Sequence, residues 1–83
     1  MSCAITVRLH GPLVEHAGAR ELSLLLTAGA RVGDVWSALT HVAPRAAALR
    51  AQCALVVNDA WADPSAALRN GDVVDVIPPV SGG

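Results

Sequence analysis

The sequence has 83 residues, of which 53% are apolar, and its formal net charge is −1. That size allows one small domain, and with only two aromatic residues the core has to be built mainly from leucine, valine, isoleucine and alanine. The six arginines form no basic cluster, which argues against a nucleic-acid-binding surface, and the lack of lysine excludes a P-loop, a Schiff base and a lysine general base within this chain.

The first predicted elements are two strands. Residues 3–9 alternate between apolar and polar side chains with the period of two that is typical of a half-buried strand. Gly11 and Pro12 end this strand, and a short polar connection runs from there to Gly18. Residues 20–26 form a second apolar strand, so we expect an antiparallel hairpin with a longer loop than the minimum.

A helix is predicted after residue 29. Its apolar face consists of residues at positions i, i+3, i+4, i+7 and i+10: Val32, Val35, Trp36, Leu39 and Val42. Asp34 lies in the first turn, where a negative charge suits the helix dipole, and we expect Trp36 in the core. Pro44 ends this helix or begins a second short one.

The rest of the sequence predicts three strands. Residues 54–57 form an apolar strand closed by a turn at 58–59, and residues 61–62 are compatible with a short return strand. A tight turn shaped by Asp72 leads into the last strand, residues 73–77.

This order of elements indicates the fold class. The helix supplies the right-handed crossover that a parallel pair of strands needs. One main helix packed on a mixed sheet of four to five strands is an α+β arrangement, the ubiquitin-like β-grasp fold. We predict a β-grasp domain over residues 1–77 and an extended, flexible C-terminal tail over residues 78–83.

One face of the predicted sheet has no helix to cover it. If Val74 and Val76 face the helix, then Val73 and Ile77 point to the open face, because successive side chains of a strand alternate. An uncovered apolar patch usually meets a partner, so these two residues are candidates for docking. Trp61, which follows a turn, is a third candidate.

The C-terminal segment is the most informative part of the sequence. It consists of Pro78, Pro79, Val80, Ser81, Gly82 and Gly83. The prolines keep such a segment extended, and the glycines remove side chains next to the terminal carboxylate, so that narrow walls can close around the backbone. Six extended residues reach about 20 Å, enough to enter a buried site of another protein. We therefore predict that Gly83 carries the reactive group and that the five residues before it lie in a partner's active site.

Cysteine, histidine and hydropathy patterns indicate a cytoplasmic protein without a metal site. No apolar run is long enough to cross a membrane, and no basic-then-apolar leader is present. Cys3 and Cys53 lie too far apart for a zinc motif or a redox pair, so we interpret them as small buried residues, with a disulfide or a sulfur-handling thiol as the alternative. The isolated histidines are interpreted as surface or capping residues: His10, His16 and His41.

Residues 68–83 resemble the C-terminal signature of the small-subunit family of molybdopterin synthase. The shared pattern is a leucine, a Gly-Asp turn, an apolar strand, Pro-Pro-Val, a small residue and Gly-Gly. Residues 56–58 and the helix pattern over 32–39 are also similar to that family. The stretch 9–15 departs from it, since many members carry a Phe-Ala pair and then Arg-Glu there, and Arg31 replaces the usual small N-capping residue.

The resemblance implies a sulfur carrier that is not an enzyme by itself. An adenylyltransferase similar to ubiquitin-activating enzymes would adenylate Gly83 with ATP, and a sulfur donor would convert it to a thiocarboxylate, a strong nucleophile. The tail would then deliver sulfur to a pyranopterin precursor inside the large subunit, in a heterotetramer of two small and two large subunits. The resemblance implies no cofactor bound by this chain, and the charge and hydropathy patterns argue against a nucleic acid or a membrane as partner.

Three alternatives remain open from the sequence. Carriers for thiamine, cysteine or tRNA thiolation share the fold and the diglycine end. A ubiquitin-like modifier would be joined through Gly83 to lysines of other proteins. A non-covalent binding module would use only the open face of the sheet and would not need the two final glycines.

Overall fold

The computed structural model describes residues 1–78, so residues 79–83 of the predicted tail lie outside the described part of the chain. The elements, in chain order, are β1 (Ser2–Leu9), α1 (Pro12–Ala17), β2 (Glu21–Thr27), α2 (Asp34–Val42), α3 (Pro44–Ala47), a 3₁₀ turn (Arg50–Gln52), β3 (Ala54–Val57), β4 (Ala60–Trp61) and β5 (Val73–Ile77). Within residues 1–78, no helix is long and apolar enough to cross a membrane.

The strands form one mixed five-stranded sheet in the order β2-β1-β5-β3-β4. β1 and β2 are the predicted antiparallel hairpin, with Ser2 opposite Thr27 and Arg8 opposite Glu21. β1 and β5 are parallel, whereas β3 is antiparallel to both β5 and β4. The chain reaches the last strand only after passing through the helical segment and the β3–β4 hairpin. This topology is the predicted ubiquitin-like β-grasp fold, with the last strand at the centre of the sheet.

The core lies between the sheet and the helices. Its largest fully buried side chains come from β1, α1, the segment around α2, and β5: Val7, Leu13, Val32, Val35, Leu39, Val74 and Val76. The predicted helix face is therefore confirmed for its first and central residues. It is wrong for Val42, which is 54% exposed at the last turn of α2, because Pro44 turns the chain into α3 at that point. Trp36 packs against the core but is only half-buried.

The connection between β1 and β2 is a helix, which corrects the predicted irregular loop. α1 begins at Pro12, whose fixed φ and missing N–H suit the first turn of a helix. It ends at Gly18, whose φ of 75° is the left-handed conformation that closes many helices. Leu13 is fully buried, and with the partly buried Val14 and Ala17 it attaches the six-residue helix to the core.

The β3–β4 connection is a tight turn that also braces the start of β5. Asn58 and Asp59 both have positive φ, 50° and 67°, as a two-residue type I′ hairpin requires. The Asn58 side chain accepts a hydrogen bond from the Val73 N–H at 2.9 Å and donates one to the Asp72 carboxylate at 3.0 Å. Asp72 in turn accepts a hydrogen bond from the Arg69 N–H at 2.8 Å, which confirms that it shapes the turn before the last strand.

Candidate functional site

The predicted tail begins where β5 ends. Ile77 is still paired with Ala54 of β3, and the next residue, Pro78, is half-buried beside Gly11. A Cβ atom added at Gly11 would lie 3.4 Å from Pro78 Cγ, and the φ of 58° at Gly11 favours glycine in any case. The turn after β1 therefore lies against the first residue of the predicted tail.

The other tail residues lie outside the described part of the chain. They are Pro79, Val80, Ser81, Gly82 and Gly83. The roles assigned to Gly83 as the reactive end and to the preceding residues as the segment that enters a partner's site stay predictions.

The alternation predicted for β5 is confirmed. Val74 and Val76 are fully buried on the side of the helices, whereas Val73 and Ile77 are half-buried on the opposite, open face. Trp61 of β4 lies opposite Val56 and is 77% exposed. The docking role of Val73, Ile77 and Trp61 stays a prediction.

The centre of the open face is a charged cluster and not the continuous apolar patch expected from the sequence. Asp75, the middle residue of β5, is only 4% exposed. Its carboxylate accepts two hydrogen bonds from Arg8, from Nε at 2.7 Å and from Nη2 at 2.8 Å. It also lies 2.7 Å from His10 Nε2, which donates because an ionised carboxylate can only accept. We call these three residues the Asp75 cluster.

The electrostatics of the Asp75 cluster favour the charged forms of Asp75 and Arg8. The hydrogen bonds from Arg8 hold the pKa of Asp75 below its usual value; burial opposes this shift, and the hydrogen bond from His10 adds to it. The same hydrogen bond to Asp75 raises the pKa of Arg8. A second carboxylate, that of Asp59, lies 3.8 Å from Arg8 Nη2, but it is largely exposed and contributes little.

The Asp75 cluster was not predicted from the sequence, because the arginines form no basic cluster there and His10 is isolated from other histidines. The available signal was Asp75 itself, an acid in the middle of the apolar strand 73–77. A buried acid needs a partner, and the outward positions of a neighbouring strand are where a partner can lie. The parallel register that brings Arg8 opposite Asp75 provides that partner.

A second surface feature is a groove of about 420 Å³ near the β3–β4 edge. It is lined in part by Trp36, Trp61, Cys53 and Arg50. Cys53 is half-buried and burial raises the pKa of its thiol, whereas Cys3 is buried within the core. The raised pKa lowers the fraction of reactive thiolate at Cys53. Cys3 is enclosed in the core, so each cysteine fits the role of a small apolar residue better than that of a sulfur-handling group.

No group of three or more histidine, cysteine, aspartate or glutamate side chains that could hold a metal ion occurs within residues 1–78. The open face presents the half-buried side chains of Val73 and Ile77, the exposed Trp61 and the ion-paired Asp75 cluster. The predicted reactive group lies at the end of the tail.

Comparison with known proteins gives consistent likenesses. A model of the ThiS family matches residues 7–83. The putative molybdopterin converting factor subunit 1 from Pyrococcus furiosus superposes with a TM-score of 0.85 at 26% identity, over 94% of this chain and 99% of that one. SAMP1 from Haloferax volcanii, a small archaeal modifier protein, gives 0.84 at 28% identity, over 96% and 99%. A complex of subunits 1 and 2 of molybdopterin-converting factor from Helicobacter pylori contains a chain that matches with 0.67 at 26% identity, over 96% and 99%.

Proposed function

The chain belongs to the ThiS family, and from this premise we propose that it is a sulfur carrier, the small subunit of a molybdopterin synthase. Its fold is the one shared by sulfur carriers of this kind and by ubiquitin-like modifiers. The observation that carries the proposal is the family match through Gly83, together with a strand β5 that ends at Ile77 and is followed by Pro78 beside Gly11. The segment that ends in the diglycine follows β5, the strand at the centre of the sheet.

The proposed reaction first activates the Gly83 carboxylate, which is a poor electrophile, and then replaces one carboxylate oxygen by sulfur. The carboxylate of Gly83 attacks the α-phosphorus of ATP in an activating enzyme and releases pyrophosphate, which leaves an acyl-adenylate. A donor at the oxidation level of sulfide then adds to the acyl carbon, and AMP leaves with the oxygen electron pair. The product is a thiocarboxylate, and this chain contributes the nucleophile for the next step while its partner contributes the active site.

The likeness to subunit 1 of the Helicobacter complex supports a large-subunit partner for this chain, since that protein is found bound to subunit 2. In the proposed complex the tail enters the large subunit and transfers sulfur to the pyranopterin precursor. The open face, with Val73, Ile77 and Trp61, is the proposed contact with that subunit or with the activating enzyme. The cytoplasm is the proposed location.

A second candidate is a ubiquitin-like modifier that forms an isopeptide bond through Gly83. The observation that favours it is the 28% identity to SAMP1 over nearly the whole of both chains. The two functions share the adenylation step and differ in what attacks the activated end, a sulfur donor or a lysine of another protein. The lack of lysine in this chain excludes chains of the modifier linked through its own side chains.

The proposal is tested by intact-mass measurement after incubation with ATP, an activating enzyme and a sulfide source. A mass gain that corresponds to one oxygen replaced by sulfur, located on the C-terminal peptide, is the expected result. Deletion of Gly82 and Gly83 is the matched control and has to abolish the gain. The modified protein is then mixed with a molybdopterin synthase large subunit and the precursor, and formation of the dithiolene is measured.

Two outcomes contradict the proposal. If no mass gain occurs with any activating enzyme, the chain is not a carrier of this kind. If instead Gly83 appears in conjugates of higher mass with lysine-containing proteins and no thiocarboxylate forms, the modifier function replaces the carrier function.

A further inference from the structure

On the β1 side of β5, the backbone pairing stops before the strand itself ends. The parallel register of β1 and β5 ends at Leu9 opposite Val76. On the other side Ile77 remains paired with Ala54 of β3. Pro78 has no N–H group and cannot extend either ladder. At the point where the tail begins, the β1 side is therefore held by something other than ladder hydrogen bonds.

The Asp75 cluster adds side-chain hydrogen bonds between β5 and the end of β1, two residues before β5 ends. Arg8 and Asp75 are register partners, and their two hydrogen bonds fix the carboxylate over the β1–β5 pair. His10 lies one residue beyond the last registered pair, and its Nε2 reaches back 2.7 Å to the same carboxylate. A charge-assisted hydrogen bond of this length is among the stronger ones in proteins. It ties the end of β1 to the centre of β5.

The position of His10 is transmitted to the tail through its neighbour. Gly11 follows His10 directly, and Pro78 Cγ lies 3.4 Å from the position that a Cβ atom on Gly11 would occupy. A shift of the His10 backbone therefore moves the surface that bounds Pro78 on the β1 side. Since His10 has 47% of its side chain exposed, it is not needed to fill the core. Among the described residues, the hydrogen bond to Asp75 is the one that its side chain makes.

We propose that Arg8, Asp75 and His10 are positioning residues that fix the direction in which the chain leaves β5 towards Gly83. The inference rests on the proposed function, because a fixed exit direction matters only if the end of the tail has to reach a reaction centre in a partner. Orientation of a reacting group contributes strongly to rate, and a misplacement of about 1 Å at a distant residue can lower a rate on the order of a hundredfold. The cluster acts through the backbone at Pro78 and takes no part in the bond changes at the carboxylate.

The test measures adenylation kinetics and tail geometry in matched variants. The variants are His10→Ala, His10→Gln, Arg8→Ala and, as a control for stability alone, Ile5→Val, which removes one core methyl group on the opposite face of β1. Gln can place an amide N–H near the position of Nε2 and so donate to Asp75 again. Pyrophosphate release by the activating enzyme is measured as a function of the concentration of each variant. The assay temperature is kept well below the melting temperature of every variant. The NMR order parameter of the Ile77 amide reports on the root of the tail without any enzyme.

The expected result is a fall in kcat on the order of tenfold for His10→Ala and Arg8→Ala, with little change in KM. The Ile77 order parameter falls in both variants, while His10→Gln restores both quantities and Ile5→Val changes neither. The inference is overturned if kcat is unchanged in His10→Ala and Arg8→Ala, or if only KM rises. It is also overturned if kcat falls equally in Ile5→Val, or if His10→Gln does not restore kcat. If the wild-type chain is not adenylated at all, the proposed function fails, and the order parameters alone show whether the cluster holds the tail root.

Discussion

Replacement of Asp75 by asparagine tests whether the buried carboxylate stabilises the sheet. Asparagine keeps the size of the side chain but removes the charge, and its amide group turns a donor toward Arg8 or His10 where an acceptor was needed. Hydrogen bonds to charged groups contribute about 1.5–3 kcal/mol each, but these three share one carboxylate, and Arg8 and His10 regain water when released. We therefore expect a net loss of about 2 kcal/mol in the free energy of unfolding.

The assay is thermal unfolding followed by circular dichroism. An unfolding entropy of roughly 2.1 cal/mol/K per residue gives about 0.17 kcal/mol/K for 83 residues, so the melting temperature falls by about 11 °C. Asp59→Asn is the matched control, because Asp59 is largely exposed, lies 3.8 Å from Arg8 and has a positive φ that asparagine tolerates. It should leave the melting temperature unchanged.

The pH dependence gives a second measurement of the same effect. The pKa of Asp75 in the folded protein lies below the usual 3.8, so its contribution is fully present above that pH and is lost as the pH falls through the folded value. The charged and titratable groups around it are Arg8, His10, Asp59 and Glu21. The stability difference between wild type and Asp75→Asn should therefore be largest near neutral pH and shrink in strong acid. The account is refuted if the stability difference between wild type and Asp75→Asn is as large at about pH 2 as at about pH 7, or if no difference is found at about pH 7.

Three other predictions concern the turns and the first helix. Gly11→Ala should cost about 1–3 kcal/mol in unfolding free energy, since φ is 58° there, and should displace Pro78, which chemical-shift changes at Ile77 would detect; unchanged stability contradicts it. Leu13→Ala should cost about 2–5 kcal/mol in chemical denaturation because the side chain is fully buried, and a smaller loss would mean that α1 is not part of the core. Asn58→Ala removes a hydrogen bond to the Val73 N–H and strains a positive φ, so we expect a loss of about 1–2 kcal/mol, whereas Asn58→Gly should lose less.

The fold was predictable from the sequence because most of its helices and strands are specified by the residue pattern within each element. The alternation in β1, the helical spacing from Val32 to Leu39, and the turn residues 58–59 and 70–72 each fix one element without reference to the rest. α1 was not predictable in this way, since six residues are too short to show a helical period. Its presence depends on the burial of Leu13, a tertiary contact.

The candidate site was predictable only in part. The alternation of side chains along β5 predicts which of them face the helices, so the placement of Val73 and Ile77 on the open face was predicted correctly. The Asp75 cluster joins residues that are 65 and 67 positions apart, and the sequence does not give the register of β1 against β5 that brings them together. The role of Gly83 rests on motif and family likeness and awaits the mass measurement.

The central place of β5 in the sheet has a consequence for synthesis of the protein. β5 separates β1 and β2 from β3 and β4, so a nascent chain that has not yet reached residue 73 holds two hairpins with no strand to join them. Non-local pairings of this kind form late, because the intervening chain has to be closed into a loop first. The sheet can therefore be completed only after residues 73–77 have been synthesised, immediately before the tail. A chain terminated before residue 73 lacks β5 and therefore the open-face residues Val73, Asp75 and Ile77.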